Sequence, residues 1–122
     1  VSEASIHRVD WYDMVLEDDW EAFSDDYFTP SYCKDVNGFV HLRGKVKDGD
    51  AVSDITSLPV GYRPSKKVIL IGVTFGGASD EAAQCRVNIE VDGDVHGSSG
   101  AVGDGAMNPD WVSLEGLLFF AG

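Results

Sequence analysis

Basic charge is what this chain has least of. Nine lysines and arginines stand against 21 aspartates and glutamates, a net charge of −12 over 122 residues. Binding to a phosphate backbone releases counter-ions at lysine and arginine contacts, so nucleic-acid binding is not expected. An anionic membrane surface is disfavoured on the same grounds. No apolar run approaches the roughly 20 residues that a spanning helix needs, and membrane insertion is not expected. Val1–Leu16 carries charges throughout, which is not the pattern of a signal peptide. Only two cysteines occur, Cys33 and Cys85, far too few for a disulfide-rich scaffold. They read as two reduced, partly buried thiols, with one long-loop disulfide as the alternative if the protein matures outside a cell. Catalytic motifs are missing as well. There is no H-E-x-x-H, C-x-x-C, phosphate-binding loop or dinucleotide glycine pattern. His7, His41 and His96 are isolated, and neither Gly77–Asp80 nor Gly97–Gly100 is a G-x-S-x-G elbow. No catalytic residue is therefore expected, and no cofactor.

What is present is a globular composition. Hydrophobic residues make up 43% and aromatic residues 11% of the chain, well above a disordered segment. The length is that of one domain, able to bury about two-thirds of its unfolded surface without staples. The acidity reads first as solubility. The alternative is cation attraction, with weakly bound calcium at the Asp48/Asp50 and Asp92/Asp94 turns. The EF-hand pattern is absent, no metal ligand set is assigned, and most of these aspartates read as turn residues.

Along the chain, residues 1–19 read as an N-terminal lead-in or neck joining an upstream shaft. Trp11, Met14, Val15 and Leu16 would make one short apolar face of a helix. A start at Val1 in place of Met is expected of a piece cut from a longer protein or of a tag-trimmed chain. Residues 20–122 read as strands and turns. Asp35-Val36-Asn37-Gly38 is a hairpin turn between Tyr32–Lys34 and Phe39–Lys47. In the second run Val40, Leu42, Gly44 and Val46 alternate with His41, Arg43, Lys45 and Lys47, as in a half-buried strand. Leu58-Pro59-Val60-Gly61-Tyr62-Arg63-Pro64 makes a stiff, shaped crossover, because two prolines fix φ and Gly61 permits a tight turn. Val68–Phe75 is apolar at almost every position and must be covered on both faces. This places Ile71 in the interior, with a neighbouring subunit or a covering loop over the second face. From Cys85 to Val91, Val87, Ile89 and Val91 point inward while Arg86, Asn88 and Glu90 point outward. Asp92-Gly93 is a second hairpin signal. Gly97–Asp110 is a long loop, and Trp111–Phe120 a final strand. No internal repeat and no low-complexity tract is seen. The expected fold is all-β, an antiparallel β-sandwich of jelly-roll-like type. Val68–Phe75 and Leu117–Phe120 both carry excess apolar faces, and closed symmetry is the usual cover for such faces, so a homotrimer is expected.

A binding surface is expected on the long loop, at Ser98, Ser99, Asp104, Asn108 and Asp110, with Trp111 at its edge. An aromatic ring packs on the apolar face of a sugar while carboxylates and amides satisfy its hydroxyls. The alternative is that Trp111 is a core aromatic, and Trp20 and Tyr62 have the same two readings. Failing that loop, the surface would lie around Trp20 and the Asp25–Asp26 turn. Glycoside hydrolysis needs two carboxylates at a fixed separation across a cleft, which sequence spacing does not supply.

Three stretches carry a resemblance. They are Asn37-Gly38-Phe39-Val40-His41-Leu42-Arg43-Gly44-Lys45-Val46, then Ile55-Thr56-Ser57-Leu58-Pro59-Val60-Gly61-Tyr62-Arg63-Pro64, then Trp111-Val112-Ser113-Leu114-Glu115-Gly116. Their order resembles the C-terminal receptor-binding domain of tailed-bacteriophage tail-fibre proteins, across about residues 20 to 120. The resemblance implies an all-β, commonly homotrimeric domain at the distal end of a virion tail, attached to an upstream fibre shaft. It implies contact with the host surface, in many cases with a cell-wall or capsular saccharide. It supplies no catalytic motif to carry over. Two other roles remain open, a structural trimerisation or capping domain of a fibre and a non-catalytic domain of a polysaccharide-degrading tail enzyme.

Overall fold

The computed structural model describes residues 9–78, 81–98 and 100–122. Among the described residues there is no helix, and eleven strands form two sheets. The strands are β1 (Tyr12–Asp13), β2 (Glu21–Ala22), β3 (Ser31–Lys34), β4 (Phe39–Arg43), β5 (Lys45–Lys47), β6 (Asp54–Ser57), β7 (Val68–Phe75), β8 (Ala82–Ile89), β9 (Asp94–His96), β10 (Val112–Ser113) and β11 (Leu118–Phe120). The smaller sheet has the order β1-β3-β4-β11, and the larger β2-β5-β10-β7-β8-β9-β6. Every pair of these strands is antiparallel. Between the sheets lies one core, where Val40, Leu42, Val46, Ile55, Leu58, Val87, Ile89, Val95, Val112 and Leu114 are essentially inaccessible.

The run from Phe39 to Lys47 is not one strand. It breaks at Gly44, whose φ is +107°, and the chain passes there from the smaller sheet to the larger. The expected final strand divides in the same way. β10 belongs to the larger sheet, and the chain returns through Leu114–Leu117 to β11 in the smaller. The two crossings are bonded to each other. Leu114 N donates to Gly44 O (2.8 Å), Leu42 N to Leu117 O (2.8 Å), and Gly44 N to Glu115 Oε1 (3.1 Å). Alternation continues unbroken through Gly44 because both sheets face the same core, so the pattern does not register the corner.

The two hairpins are built alike, a repeat that a periodicity search misses. Asp35-Val36-Asn37-Gly38-Phe39-Val40-His41 and Glu90-Val91-Asp92-Gly93-Asp94-Val95-His96 share the pattern acid-Val-Asx-Gly-x-Val-His. Gly38 and Gly93 have φ of +91° and +94°, the left-handed position of a short hairpin loop. Gly38 N donates to Asp35 O and Gly93 N to Glu90 O. Each histidine then reaches back across the turn. His41 Nε2 lies 2.8 Å from Asp35 Oδ2, and His96 Nε2 lies 2.7 Å from Glu90 Oε2. Val91 falls in the second turn and is exposed, against the inward position expected of it. Asn88 does point outward, but the following loop covers it. Its side-chain amide donates to Ser98 Oγ and Gly97 O, and only 4% of it is accessible.

The proline-rich crossover bridges the two hairpins. Tyr62 N closes a turn on Pro59 O. Leu58 is fully buried, and its N–H donates to Gly93 O in the second hairpin. Lys34 Nζ, from the first hairpin, donates to Gly61 O (2.9 Å) and to Ala121 O (3.1 Å). The N-terminal segment departs from expectation. Residues 11–16 form no helix. Tyr12 pairs with Tyr32 in β3, Leu16 bridges to Thr56, and Met14 is in the core. Residues 1–8 of the expected lead-in lie outside the described residues.

Ile71 is not in the interior of this chain. It is 66% exposed on the outer face of β7, flanked by Ile69 at 54% and Val73 at 45%. Among the described residues the Gly103–Gly105 loop borders this face beside Ile71 but leaves all three side chains exposed. The inner face of the same strand carries Val68, Leu70, Gly72 and Thr74, opposite Ile89, Val87, Cys85 and Ala83 of β8. Both cysteines are buried and free. Cys85 lies in the core, where burial pushes its thiol up to about 11.

Candidate functional site

Alternation on β4 and β5 sends Arg43, Lys45 and Lys47 away from the core, as their charge requires. Long cationic stems need a partner surface there, and aromatic rings supply it. Lys45 Nζ lies 4.0 Å from the Phe23 ring centroid, 4.2 Å from Tyr27 and 4.4 Å from Trp111. The Arg43 guanidinium lies 3.9 Å from the Trp11 ring and 4.5 Å from Phe28. Arg43 Nε also donates to Ser31 Oγ. Phe23 and Tyr27 meet edge to face at 5.5 Å, and Phe75 packs against Trp111 at 6.2 Å. The segment carrying these rings is held by Phe23 N on Lys45 O and by a turn from Tyr27 N to Ser24 O.

The far side of this aromatic cluster is an open cavity of ≈ 540 Å³. Asp25, Asp26, Tyr27 and Phe28 line it from one segment, and Glu115 from the second sheet crossing. Its volume is that of a small-ligand site, about 300–1,000 Å³. Tyr27 is 48% and Phe28 58% exposed, so ring surface is available to a ligand. No ion pair involves Asp25, Asp26 or Glu115 among the described residues. Glu115 is held in place by the backbone N–H of Gly44 on its Oε1. Two fixed apolar rings with three carboxylate acceptors can take the apolar face and the hydroxyl or amine donors of a sugar.

The residues expected from sequence are dispersed. Trp111 is half buried and belongs to the aromatic cluster through Lys45. Asn108 is fastened to β7, its N–H donating to Thr74 Oγ1 at 2.8 Å, and its Oδ1 accepts from Asp110 N. Asp104 is exposed next to Gly105, whose carbonyl accepts from Arg86 N. Ser98 serves as acceptor for Asn88. Ser99 lies outside the described residues. Much of the long loop is thus tied down, and Ala106 and Met107 are buried in it. None of the five described residues of this set lines the ≈ 540 Å³ cavity. Trp20 is only 4% exposed and offers no platform, and Tyr62 packs edge-on against Tyr32 at 5.0 Å. Tyr27, Phe28 and Glu115 were missed. The signal for the first two was an acidic pair adjoining an aromatic pair at Asp25–Phe28, whereas Glu115 is brought in only by the crossing. Asp50 and Asp92 accept backbone N–H groups two residues on, as turn residues do. Among the described residues no group of three or more histidine, cysteine or acidic side chains is arranged to hold a metal ion.

No known protein family matches the chain by sequence, and no curated protein does. Among solved structures the fold is similar to the receptor binding protein of Listeria phage PSA, with a TM-score of 0.73 at 15% identity. The match covers 98% of this chain and 68% of that one. At that identity the likeness establishes a shared fold.

Proposed function

We propose that this chain is a receptor-binding module of a bacteriophage tail, attaching the virion to a saccharide on the host cell surface. The observation that carries the proposal is the fold shared with a phage receptor binding protein over nearly the whole chain. The cavity between Tyr27, Phe28 and Glu115 is the contact site in this reading, and Trp111 stands behind it, against the same Lys45 that lies over Tyr27. The reading assigns no catalysis to the chain and no nucleic-acid partner, in keeping with the charge of −12. It also includes a homotrimer at the end of a fibre shaft. The Ile69–Ile71–Val73 stripe supports self-association, since such a flat apolar face is a ready interface.

The same stripe favours a second reading, in which the domain only trimerises or caps a fibre. One experiment separates the two. Labelled protein is incubated with host cells or immobilised cell-wall glycan, beside Tyr27→Ala and Phe28→Ala variants. Binding that the two variants abolish supports attachment. Absence of binding to every host tested, with self-association intact, leaves the structural role.

A further inference from the structure

A second cavity, of ≈ 240 Å³, lies where the first hairpin meets the proline-rich crossover. Asp10, Tyr12, Lys34, Asp35 and Tyr62 are among its lining residues, and it shares none with the first cavity. Alternation on β3 puts Tyr32 and Lys34 on one side, and β1 pairs Tyr12 directly with Tyr32. The turn at Pro59–Tyr62 brings the Tyr62 ring edge-on to both, 6.3 Å from Tyr12. The polar groups are fixed before any ligand arrives. Lys34 commits two of its three N–H donors to Gly61 O and Ala121 O. Asp35 Oδ1 accepts from Asn37 N and Phe39 N, and its Oδ2 lies against His41. What remains is one Lys34 donor, the Asp10 carboxylate and the Tyr12 and Tyr62 hydroxyls. Among the described residues neither Lys34 nor Asp10 is in an ion pair, and no cation lies on the Tyr12 or Tyr62 ring. Neither hydroxyl makes a hydrogen bond among those residues. Tyr12 is 46% exposed, so ring surface is open to a ligand. We propose that this cavity is a second saccharide contact and that it takes an uncharged sugar unit. This rests on the attachment reading, the sugar being a further unit of the same host polymer. The volume falls just under the about 300–1,000 Å³ of drug-sized sites, which suits a single ring. Tyr12 meets the C–H face of the sugar, Lys34 donates to hydroxyls, Asp10 accepts from them, and the tyrosine hydroxyls do either. With Asp35 engaged, the free charges are one ammonium and one carboxylate. A sugar charge of either sign then meets an opposite and a like charge together, so it loses hydration without net gain, whereas a neutral unit has no charge to desolvate. Both cavities also adjoin the start of β1. Tyr12 lines this one, and Trp11 beside it lies under the Arg43 guanidinium, whose other ring, Phe28, lines the first. Two weak contacts to one oligosaccharide bind far more tightly than either alone.

The test is an amide-shift NMR titration of labelled protein with glucose, galactose, mannose and rhamnose, with glucosamine and glucuronic acid alongside. At least one neutral sugar should shift the Tyr12, Lys34 and Tyr62 amides, with a dissociation constant in the millimolar range that a single ring allows. The two charged sugars should bind there several-fold more weakly than that sugar. Tyr12→Leu keeps an apolar contact with Tyr32 and Tyr62 but loses the flat ring, and should weaken the neutral sugar about five-fold. Asp10→Ala removes an exposed acceptor and should weaken it a few-fold. Circular dichroism and thermal unfolding establish that the variants fold. Absence of these shifts with all the neutral sugars overturns the proposal, as do shifts that survive Tyr12→Leu undiminished. Equal or tighter binding of a charged sugar overturns the neutral preference. In the host-cell assay Tyr12→Leu should weaken attachment. If Tyr27→Ala and Phe28→Ala abolish attachment while Tyr12→Leu leaves it unchanged, the second contact fails and the attachment reading stands. If none of these variants changes it, both fail.

Discussion

Gly44→Ala is the substitution that most directly tests the two-sheet corner. Gly44 has φ of +107°, outside the range any residue with a Cβ adopts without strain. A Cβ there would lie 2.5 Å from Pro30 Cα, 2.7 Å from Pro30 N and 3.0 Å from Phe28 O. All three are backbone atoms, so no rotamer change relieves the clash. Strain at such a φ costs about 1–3 kcal/mol. Displacing packed backbone costs about 1–3 kcal/mol more. A loss of roughly 3–5 kcal/mol follows, a large share of the about 5–15 kcal/mol that holds a domain of this size together. With a urea slope of about 1–3 kcal/mol per molar, the midpoint should fall by roughly 2 M. Tryptophan fluorescence reads the transition, at one fixed protein concentration because self-association would raise apparent stability. Gly61→Ala is the matched control. Its φ is +98°, but a Cβ there meets nothing within 4 Å, so only the strain remains. If Gly44→Ala loses no more than Gly61→Ala, close approach at the corner is refuted. If both lose under about 1 kcal/mol, the strain argument goes too.

Ile71→Asp should leave circular dichroism intact and stability within about 0.5 kcal/mol of the parent, as exposed substitutions do, while light scattering shows any oligomer reduced to monomer. An unfolded variant would return Ile71 to the core. His96 gives a pH signature. Burial lowers its proton affinity, but Glu90 and the Gly97 carbonyl outweigh that and the net shift is upward from 6.5. Its contribution is therefore complete below the ordinary value and is lost as pH rises through the folded one. His96→Gln should flatten the decline in melting temperature between pH 6 and 9, and parallel curves for the two proteins would contradict this. Neither Cys33 nor Cys85 should react with an aromatic disulfide reagent at pH 8 until denaturant is added, since both are buried and both thiols are pushed up. Prompt reaction in the native protein would show that the strands open readily.

Turn chemistry was the part of the fold most legible in the sequence. Asp35–Gly38 and Asp92–Gly93 form their hairpins because glycine takes the left-handed position and the acidic neighbour closes the turn. Inward residues such as Val40, Leu42, Val87 and Ile89 were equally plain from alternation. The corners were not, because the pattern on either side of Gly44 is the same. The outer face of β7 was ambiguous for another reason. Hydrophobicity at Ile69, Ile71 and Val73 states that a cover is favourable but not where it comes from. The cavity was half legible. Asp25–Phe28 is local, whereas Glu115 reaches it across a gap of many residues that only the second crossing closes.

The paired hairpins bear on how the chain finds this fold. Each turn with its histidine clasp joins residues six positions apart, so its contacts are local in the chain. Such hairpins close on the order of 1–10 μs. One lies in each sheet, so ordering starts in two places. The corner is different, since Gly44 meets Glu115 across 71 positions. Closing so long a loop carries an entropy cost that contacts repay only afterwards. The slow event is then the meeting of two hairpins that already have their local shape. Pulsed hydrogen exchange during refolding should protect Asp35 and Glu90 amides before that of Leu114, and early protection of Leu114 would reverse the order.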